Sequence, residues 1–435
     1  MDVSRGRAAS AMIVTLAVAA QATGAWAQVT PPPVAPEVYD RGNNQSVRQR
    51  AQPEFEPLGV RMGGFRLYPR LGVAFEWNDN VYATQTNEVD DTATVVSGGA
   101  RLQSDWGRHA LAFEAQAAHT AYGDSSSDDG TNWSVLAEGR LDIRRSTALS
   151  GSVSYTDAQE ERGNVDVITL IEPIEYTELG ATARLTHQFN RLRATALADF
   201  RRRDYDDGFL IDGPDLGTDP DPYDQDFRDV NVTELTGRLD YYVSPSTAVF
   251  GAVSQRWSDY RDETLGVRDF SRTRALVGAA FDLTNLVRGE FGLGYSWARF
   301  DNPAFSDFSG FSARAAIDWF VTQLTNVTFI AERDLDEAGE QAASSLERTS
   351  LSVRFDHELY RNVVLWARAG WAEEDFQGID RNDTRITYGA GADWLVNRWA
   401  SINVRLVHTD LDSSGAAAFR DYEQNRALIG VTFRR

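Results

Sequence analysis

The stretch that decides the fold is Gln52–Tyr82, QPEFEPLGVRMGGFRLYPRLGVAFEWNDNVY. Its second half alternates. Phe65, Leu67, Pro69, Leu71, Val73, Phe75 and Trp77 fall on one face of an extended chain, and Arg66, Tyr68, Arg70, Gly72, Ala74, Glu76 and Asn78 fall on the other. Strand side chains point to opposite sides with a period of two. The pattern holds for about 13 residues, whereas a strand of a soluble domain has roughly 5–6. Crossing a bilayer at a tilt takes about 9–11. The fold therefore turns on whether the apolar face looks at a protein core or at lipid.

From Phe65 onward the pattern repeats. Leu111, Phe113, Ala115 and Ala117 oppose Ala112, Glu114, Gln116 and Ala118. Ala194, Ala196, Ala198 and Phe200 oppose Asp199, Arg201 and Arg203. Short turns near 104–109, 145–146, 190–191, 244–245, 285, 325–326, 361–362 and 397–398 alternate with long connections near 79–92, 123–131, 157–175, 204–228, 259–270, 300–307, 335–346, 373–383 and 410–421. The spans 247–258 and 325–334 are patterned poorly. Nine long and eight short connections imply an all-β fold: a transmembrane, antiparallel, up-and-down β-barrel of outer-membrane type with about 18 strands, an even number as in bacterial single-chain barrels. A soluble sandwich would not alternate its connection lengths so regularly. Aromatics near strand ends are expected to form the girdles of two membrane interfaces: Trp77, Tyr122, Trp133, Tyr155, Tyr176, Tyr241, Tyr242, Trp257, Trp297, Trp319, Trp371 and Trp394. Only a closed sheet satisfies every backbone group in lipid.

Upstream of the barrel, residues 1–27 read as a signal peptide. Arg5 and Arg7 precede the apolar run AASAMIVTLAVAA, and Ala25-Trp26-Ala27 gives a small-x-small cleavage pattern. Residues 28–64, rich in Pro, Gln, Arg and Glu, read as a disordered periplasmic arm with little to bury. The barrel is expected over 65–435. The chain has 435 residues, a net charge of −21 and no Cys. An acidic balance excludes the basic footprint that nucleic acid needs. Without cysteine there are no disulfides, thiolate metal sites or cysteine nucleophiles.

The opening stretch also carries a resemblance. Pro53, Glu54, Phe55, Pro57, Gly59, Arg61 and Gly63 lead into a strand with Phe65 and Pro69 that ends in Asp79-Asn80-Val81-Tyr82. This resembles the start of the putative β-barrel porin 2 family of Gram-negative outer membranes. The turn Trp106–His109 and the segment Glu161-Arg162-Gly163 are similar to family features too. The resemblance implies an outer-membrane barrel. Because family members often lie among exopolysaccharide genes, it also implies passage of a polymer. One departure is the C-terminus, where Arg434 and Arg435 follow Phe433 in place of the terminal aromatic read by the barrel-insertion machinery.

Tests for chemistry mostly fail. His109, His119, His187, His357 and His408 form no H-E-x-x-H pattern and no close pair, and no P-loop or dinucleotide fingerprint is present. The four later histidines read as polar or interfacial residues. Asp410, Asp412, Ser414, Gly415 and Asp421 have an EF-hand-like spacing, but their flanks read as strands and Asp stands where the bidentate Glu belongs. That run, like the acidic loop Asp212–Asp226, reads as a solvated surface. No enzyme, cofactor or metal is expected.

The lumen carries the function. If the alternation holds, Arg70, Glu114, Arg140, Arg184, Arg201, Arg203, Arg238, Arg274, Glu290, Arg314, Asp318, Arg368, Arg385 and Asp393 point inwards. Mixed signs predict ion pairs across a polar, hydrated interior, and the planar fork of arginine suits sugar hydroxyls and carboxylates. Two functions remain open. One is a passive channel for a polysaccharide or small solutes. The other is a non-transporting barrel, a scaffold or an outer-membrane enzyme. The expected partners are outer-membrane lipid and lipopolysaccharide, the insertion machinery, a polysaccharide and a periplasmic polymer-export partner.

Overall fold

In the computed structural model the outward face of the first strand is the apolar one. Leu71, Phe75 and Trp77 are 55%, 61% and 42% exposed, while Glu76 and Asn78 beside them are 4% exposed. A soluble protein would bury the first set and expose the second. The same inversion recurs at Val135, Val153, Leu239, Val277, Phe311 and Ile429, an apolar belt far beyond what a soluble monomer exposes.

The structure describes residues 45–163, 171–209, 222–261, 268–283, 286–336, 338 and 343–435. The leader pattern 1–27, the first part of the arm and most of the acidic loop Asp212–Asp226 lie outside them. Eighteen antiparallel strands form the barrel. They are β1 (Phe65–Asn78), β2 (Asp91–Ser104), β3 (Ala110–Tyr122), β4 (Gly130–Arg144), β5 (Thr147–Gln159), β6 (Glu175–Gln188), β7 (Leu192–Tyr205), β8 (Val230–Ser244) and β9 (Thr247–Tyr260). The second half comprises β10 (Phe270–Leu283), β11 (Val287–Phe300), β12 (Phe308–Thr322), β13 (Thr325–Asp336), β14 (Ser345–Tyr360), β15 (Val363–Gln377), β16 (Asn382–Leu395), β17 (Ala400–Ser414) and β18 (Tyr422–Arg434). Each pairs with its chain neighbours. The sheet closes by pairing β1 with β18, from Arg70 opposite Arg434 to Asn78 opposite Arg426. β18 stops there, and the short strand Val60–Met62 folds back on Phe65–Leu67 to cover the rest of that edge. An uncovered edge would leave backbone groups unpaired.

Several connections are shorter than expected. β15 runs on to Gln377 and β17 to Ser414, leaving 378–381 and 415–421 as loops. Both strand ends rise beyond the apolar belt and carry polar side chains, which is why they read as loop. β9 and β13 are regular strands despite their weak pattern. In β9 the turn-end half of the lumen face is apolar: Ala248 and Phe250 point inwards, and Phe250 lies against bare backbone at Gly278 and Gly292. Trp77, Trp133, Trp257 and Trp297 ring the loop end on the outside, and Tyr241, Trp319 and Trp394 ring the turn end. Tyr122, Tyr176 and Tyr242 depart from the expected girdle, because their register parity turns them into the lumen.

The arm also departs from expectation. From residue 45 it is folded against the turn-end mouth. Val47 is 2% exposed, its N–H donating to Asn326 at 2.8 Å. Arg398 donates to the carbonyls of Pro53 and Glu54, and Arg434 to that of Phe55. This segment has few apolar side chains, but its backbone and arginines find partners supplied by the barrel rim.

Candidate functional site in the barrel lumen

The inner wall is polar because every second residue of each strand points there, and its charges pair between strands. All fourteen residues named from the sequence sit on the inward parity of their strands. Glu114 accepts from Arg70 (2.7 Å) and Arg101 (2.8 Å), and Arg101 also reaches Glu138. Arg203 bonds Glu178, which lies 4.0 Å from Arg201, and its guanidinium lies 5.1 Å from the Tyr176 ring centre. Arg238 bridges Asp240 and Glu290 (2.9 Å) with the Phe250 ring 3.8 Å away. Asp318 accepts from Arg288 (3.0 Å) and Thr328 (2.8 Å). Arg140 pairs with Asp142 at the turn end (3.0 Å) and is itself exposed. Arg184 and Arg314 face the lumen without a hydrogen bond or ion pair among the described residues.

Both mouths are narrowed. At the turn end, Arg48 donates to Asp356 (2.7 Å) and Asp393 (3.1 Å), and Arg50 to Glu358 (2.9 Å), so the arm is bound to the inner rim of the opening on β14 and β16. These two carboxylates hold Arg48 above the ordinary arginine value, against the opposing effect of burial. At the loop end, the segment after β5 crosses to β16 and β18. Arg162 is clamped by Asp128 (2.8 and 3.0 Å). The Gly163 carbonyl accepts from Arg385 and from the Tyr422 hydroxyl, both at 2.8 Å. Only a residue without Cβ fits, because a Cβ there would stand 2.5 Å from that hydroxyl. The motif that ends β1 builds the seat: Asn80 is fully buried and bonded to Thr84 and Glu423, and the Tyr82 ring lies 5.4 Å from the Arg162 guanidinium.

A second inward bend follows β13. Asp334 is the hub of Arg272 (2.7 Å), Arg274, Ser296 and Ser312. Its neighbour Leu335, which strict alternation would turn outwards, is 1% exposed among Val230, Val232, Tyr260 and Phe270. The alternation breaks because the chain turns into the lumen, carrying Ala338, whose carbonyl accepts from Arg268.

His119, His187, His357 and His408 face outwards, bonded to Thr131, Thr147, Thr325 and Asn425. Asp410, Asp412 and Ser414 belong to β17, so the EF-hand-like spacing describes a strand. Asp207, Asp224 and Asp226 converge at the loop end and are all exposed.

A family model described as "Putative beta-barrel porin 2" matches residues 52–435. The chain belongs to this putative beta-barrel porin 2 family. Its barrel is similar to the outer membrane protein OpdK from Pseudomonas aeruginosa, with 11% identity, 85% of this chain and 99% of that chain covered, and a TM-score of 0.44. It is similar also to Pseudomonas aeruginosa OccK2 (OpdF) in complex with glucuronate, with 9% identity, 85% and 98% covered, and a TM-score of 0.44. A third is a BenF-like porin from Pseudomonas fluorescens Pf-5, with 10% identity, 85% and 99% covered, and a TM-score of 0.43. No curated protein matches the chain. As a member of the putative beta-barrel porin 2 family, the chain is a porin-like β-barrel. Its structure adds residues that the sequence reading missed. Arg354 and Arg405 share the inward parity and were open to the same argument. Arg48 and Asp128 lie outside any strand, where alternation gives no signal, and Arg162 was marked only by the resemblance of its segment, without a role.

Proposed function

We propose that this barrel is a passive, selective channel for small polar solutes and has no enzymatic role. One observation carries the reading: chain is bound inside both mouths, with the arm held at Asp356, Asp393 and Glu358 and the Glu161–Gly163 segment at Arg385 and Tyr422. A barrel of about 18 strands otherwise leaves a wide aqueous pore. Narrowed openings lined with paired charges suit solutes of a few ångströms. A polysaccharide strand would require the arm to leave its seat. The leader pattern at residues 1–27 supports export to the outer membrane of a Gram-negative bacterium.

The test is single-channel recording in planar bilayers with liposome swelling in sugars of increasing size. Small, discrete conductance and exclusion of oligosaccharides are expected. Free entry of long oligosaccharides would favour polymer passage, and absence of current would favour a non-transporting barrel.

A further inference from the structure

The outer wall of β8–β12 carries a polar recess and an apolar one, end to end. The polar recess, about 640 Å³, lies at the loop-end girdle beside Trp297. One row of the ladder lines it, in which Gln255, Thr273, Trp297 and Ser309 are successive cross-strand partners. Two residues nearer the loops, Ser271 pairs with Arg299. The Arg299 side chain is exposed and has no hydrogen bond or ion pair among the described residues. Two other outward arginines of that rim are already bound, Arg202 to Asp204 (3.1 Å) and Arg333 to Glu347. Asp307, also at the recess, keeps one oxygen on the Phe300 N–H (3.2 Å). The apolar recess, about 740 Å³, starts two residues toward the turn end, where Val253, Ala275 and Tyr295 succeed Gln255, Thr273 and Trp297. Side chains are missing from the belt here. A Cβ on Gly237 or Gly251 would meet nothing within 4 Å, and Leu239, Val277 and Leu293 stand exposed around them as walls. In a bilayer the first recess meets head groups and the second meets acyl chains.

We propose that the two recesses together bind one lipopolysaccharide molecule of the outer leaflet, with a phosphate of its glucosamine head group on Arg299 and an acyl chain over Gly237 and Gly251. The loop end is the outer side, since the longer loops of such barrels are extracellular. Charge decides the head group: the guanidinium fork of Arg299 lacks an anion, and a phosphate supplies two oxygens in matching geometry. The hydroxyls of Ser271, Thr273 and Ser309 and the second oxygen of Asp307 suit the hydroxyls of a sugar. The proposal rests on the outer-membrane placement and not on conduction through the lumen.

The test titrates the full barrel, purified in detergent, with lipid A, the acylated and phosphorylated glucosamine disaccharide, and reads bound lipid by native mass spectrometry. One lipid A per barrel is expected, in preference to phosphatidylethanolamine. Arg299→Gln and Gly251→Leu, both on the outward face, should each weaken that binding roughly tenfold or more. Arg202→Gln, on the same rim, should leave it intact. Unchanged binding in either of the first two variants overturns the two-recess site. An equal loss in Arg202→Gln reduces the effect to general attraction and overturns it too. A parent that binds no lipid A, or that prefers phosphatidylethanolamine, overturns the site without any variant. A barrel dimer that Gly251→Leu dissolves assigns the groove to a second copy and overturns lipid binding there. Density-gradient fractionation of cells tests the placement separately. A barrel in the outer-membrane fraction that binds no lipid A sinks this inference alone. One that binds lipid A yet sediments with the inner membrane sinks the placement alone.

Discussion

Arg48 donates its Nε to the Asp356 carboxylate at 2.7 Å, which ties the segment before the barrel to β14, 308 residues further along the chain. Asp356 is nearly inaccessible and keeps Arg354 as a second partner, and Glu358 keeps Arg361 at 3.7 Å, so losing Arg48 and Arg50 leaves neither buried carboxylate without a cation. A hydrogen bond to a charged group contributes about 1.5–3 kcal/mol. Arg48→Ala/Arg50→Ala should therefore free the arm while sparing barrel stability. The expected outcome is a larger single-channel conductance with an unchanged Tm. An unchanged conductance would show that the arm does not narrow the current path.

The Arg385–Gly163 hydrogen bond makes a separate prediction at the other mouth. Arg162 is buried in the intact protein, so its peptide bond is shielded from trypsin. Arg385→Ala removes one of the two donors to the Gly163 carbonyl, and Gly163→Ala drives a methyl group against the Tyr422 hydroxyl. A loss of about 1.5–3 kcal/mol in the closed segment corresponds to roughly 10–100-fold more of the opened form. Cleavage after Arg162 should accelerate accordingly in both variants, as followed by mass spectrometry. Equal cleavage rates in parent and variants would mean the segment is held elsewhere.

Two carboxylates of the lumen should differ in what they hold together. Asp334 joins Arg272 and Arg274 to two serines, with the Arg272 side chain only 3% exposed. Asp334→Ala leaves Arg272 with only the longer Glu234 carboxylate contact (3.3 Å) and Arg274 with Glu332 at 3.6 Å, and should cost about 3–5 kcal/mol. Glu114 joins Arg70 and Arg101, whose side chains are 27% and 19% exposed to the hydrated lumen. Water partly replaces the lost partner, so Glu114→Ala should cost about 1–3 kcal/mol. Urea unfolding in micelles gives both values, and the larger loss should belong to Asp334.

The barrel was legible in the sequence because its evidence is local. The alternation from Phe65 to Asn78 requires no partner to be known, and the inward parity of Arg70, Glu114 and Asp318 follows from strand direction alone. What closes the mouths was not legible. The Arg385–Gly163 bond spans 222 residues, and Leu335 is buried because its strand leaves the alternation. Tyr122, Tyr176 and Tyr242 share the strand-end position of the girdle aromatics, and only parity separates them. At β9, apolar residues on the turn-end half of the lumen face weakened the contrast between the two faces.

Asp229, just before β8, provides a pH-dependent prediction. Burial pushes its carboxyl up to about 6, outweighing the Tyr205 N–H (2.7 Å) and Arg261 that favour the ionised form. The folded state thus holds this proton more tightly than the unfolded chain does. The resulting stabilisation is complete below about pH 4 and is lost as pH rises through about 6. Asp229→Asn keeps an uncharged acceptor for Tyr205. Its Tm relative to the parent should therefore rise between pH 4 and pH 8. A flat difference over that range would contradict the upward shift.

Leu71 tests the orientation of the whole sheet. It lies mid-strand in β1, 55% exposed, in paired register with Gly98 on one side and Phe433 on the other. If that face met water, Leu71→Arg would change stability by no more than about 0.5 kcal/mol, as surface substitutions do. In a bilayer the arginine enters hydrocarbon, at a cost of about 2–4 kcal/mol near the midplane. Reversible urea unfolding in lipid vesicles distinguishes the two, and the larger loss is expected. Gly72→Ser, one residue along on the lumen face, provides the internal control. Its Cβ would crowd the Ser97 hydroxyl at 2.6 Å, a flexible side chain that can turn away into the lumen. The cost there should be small in vesicles and in detergent alike, whereas the Leu71→Arg cost should shrink in detergent, where the belt is thinner and more yielding.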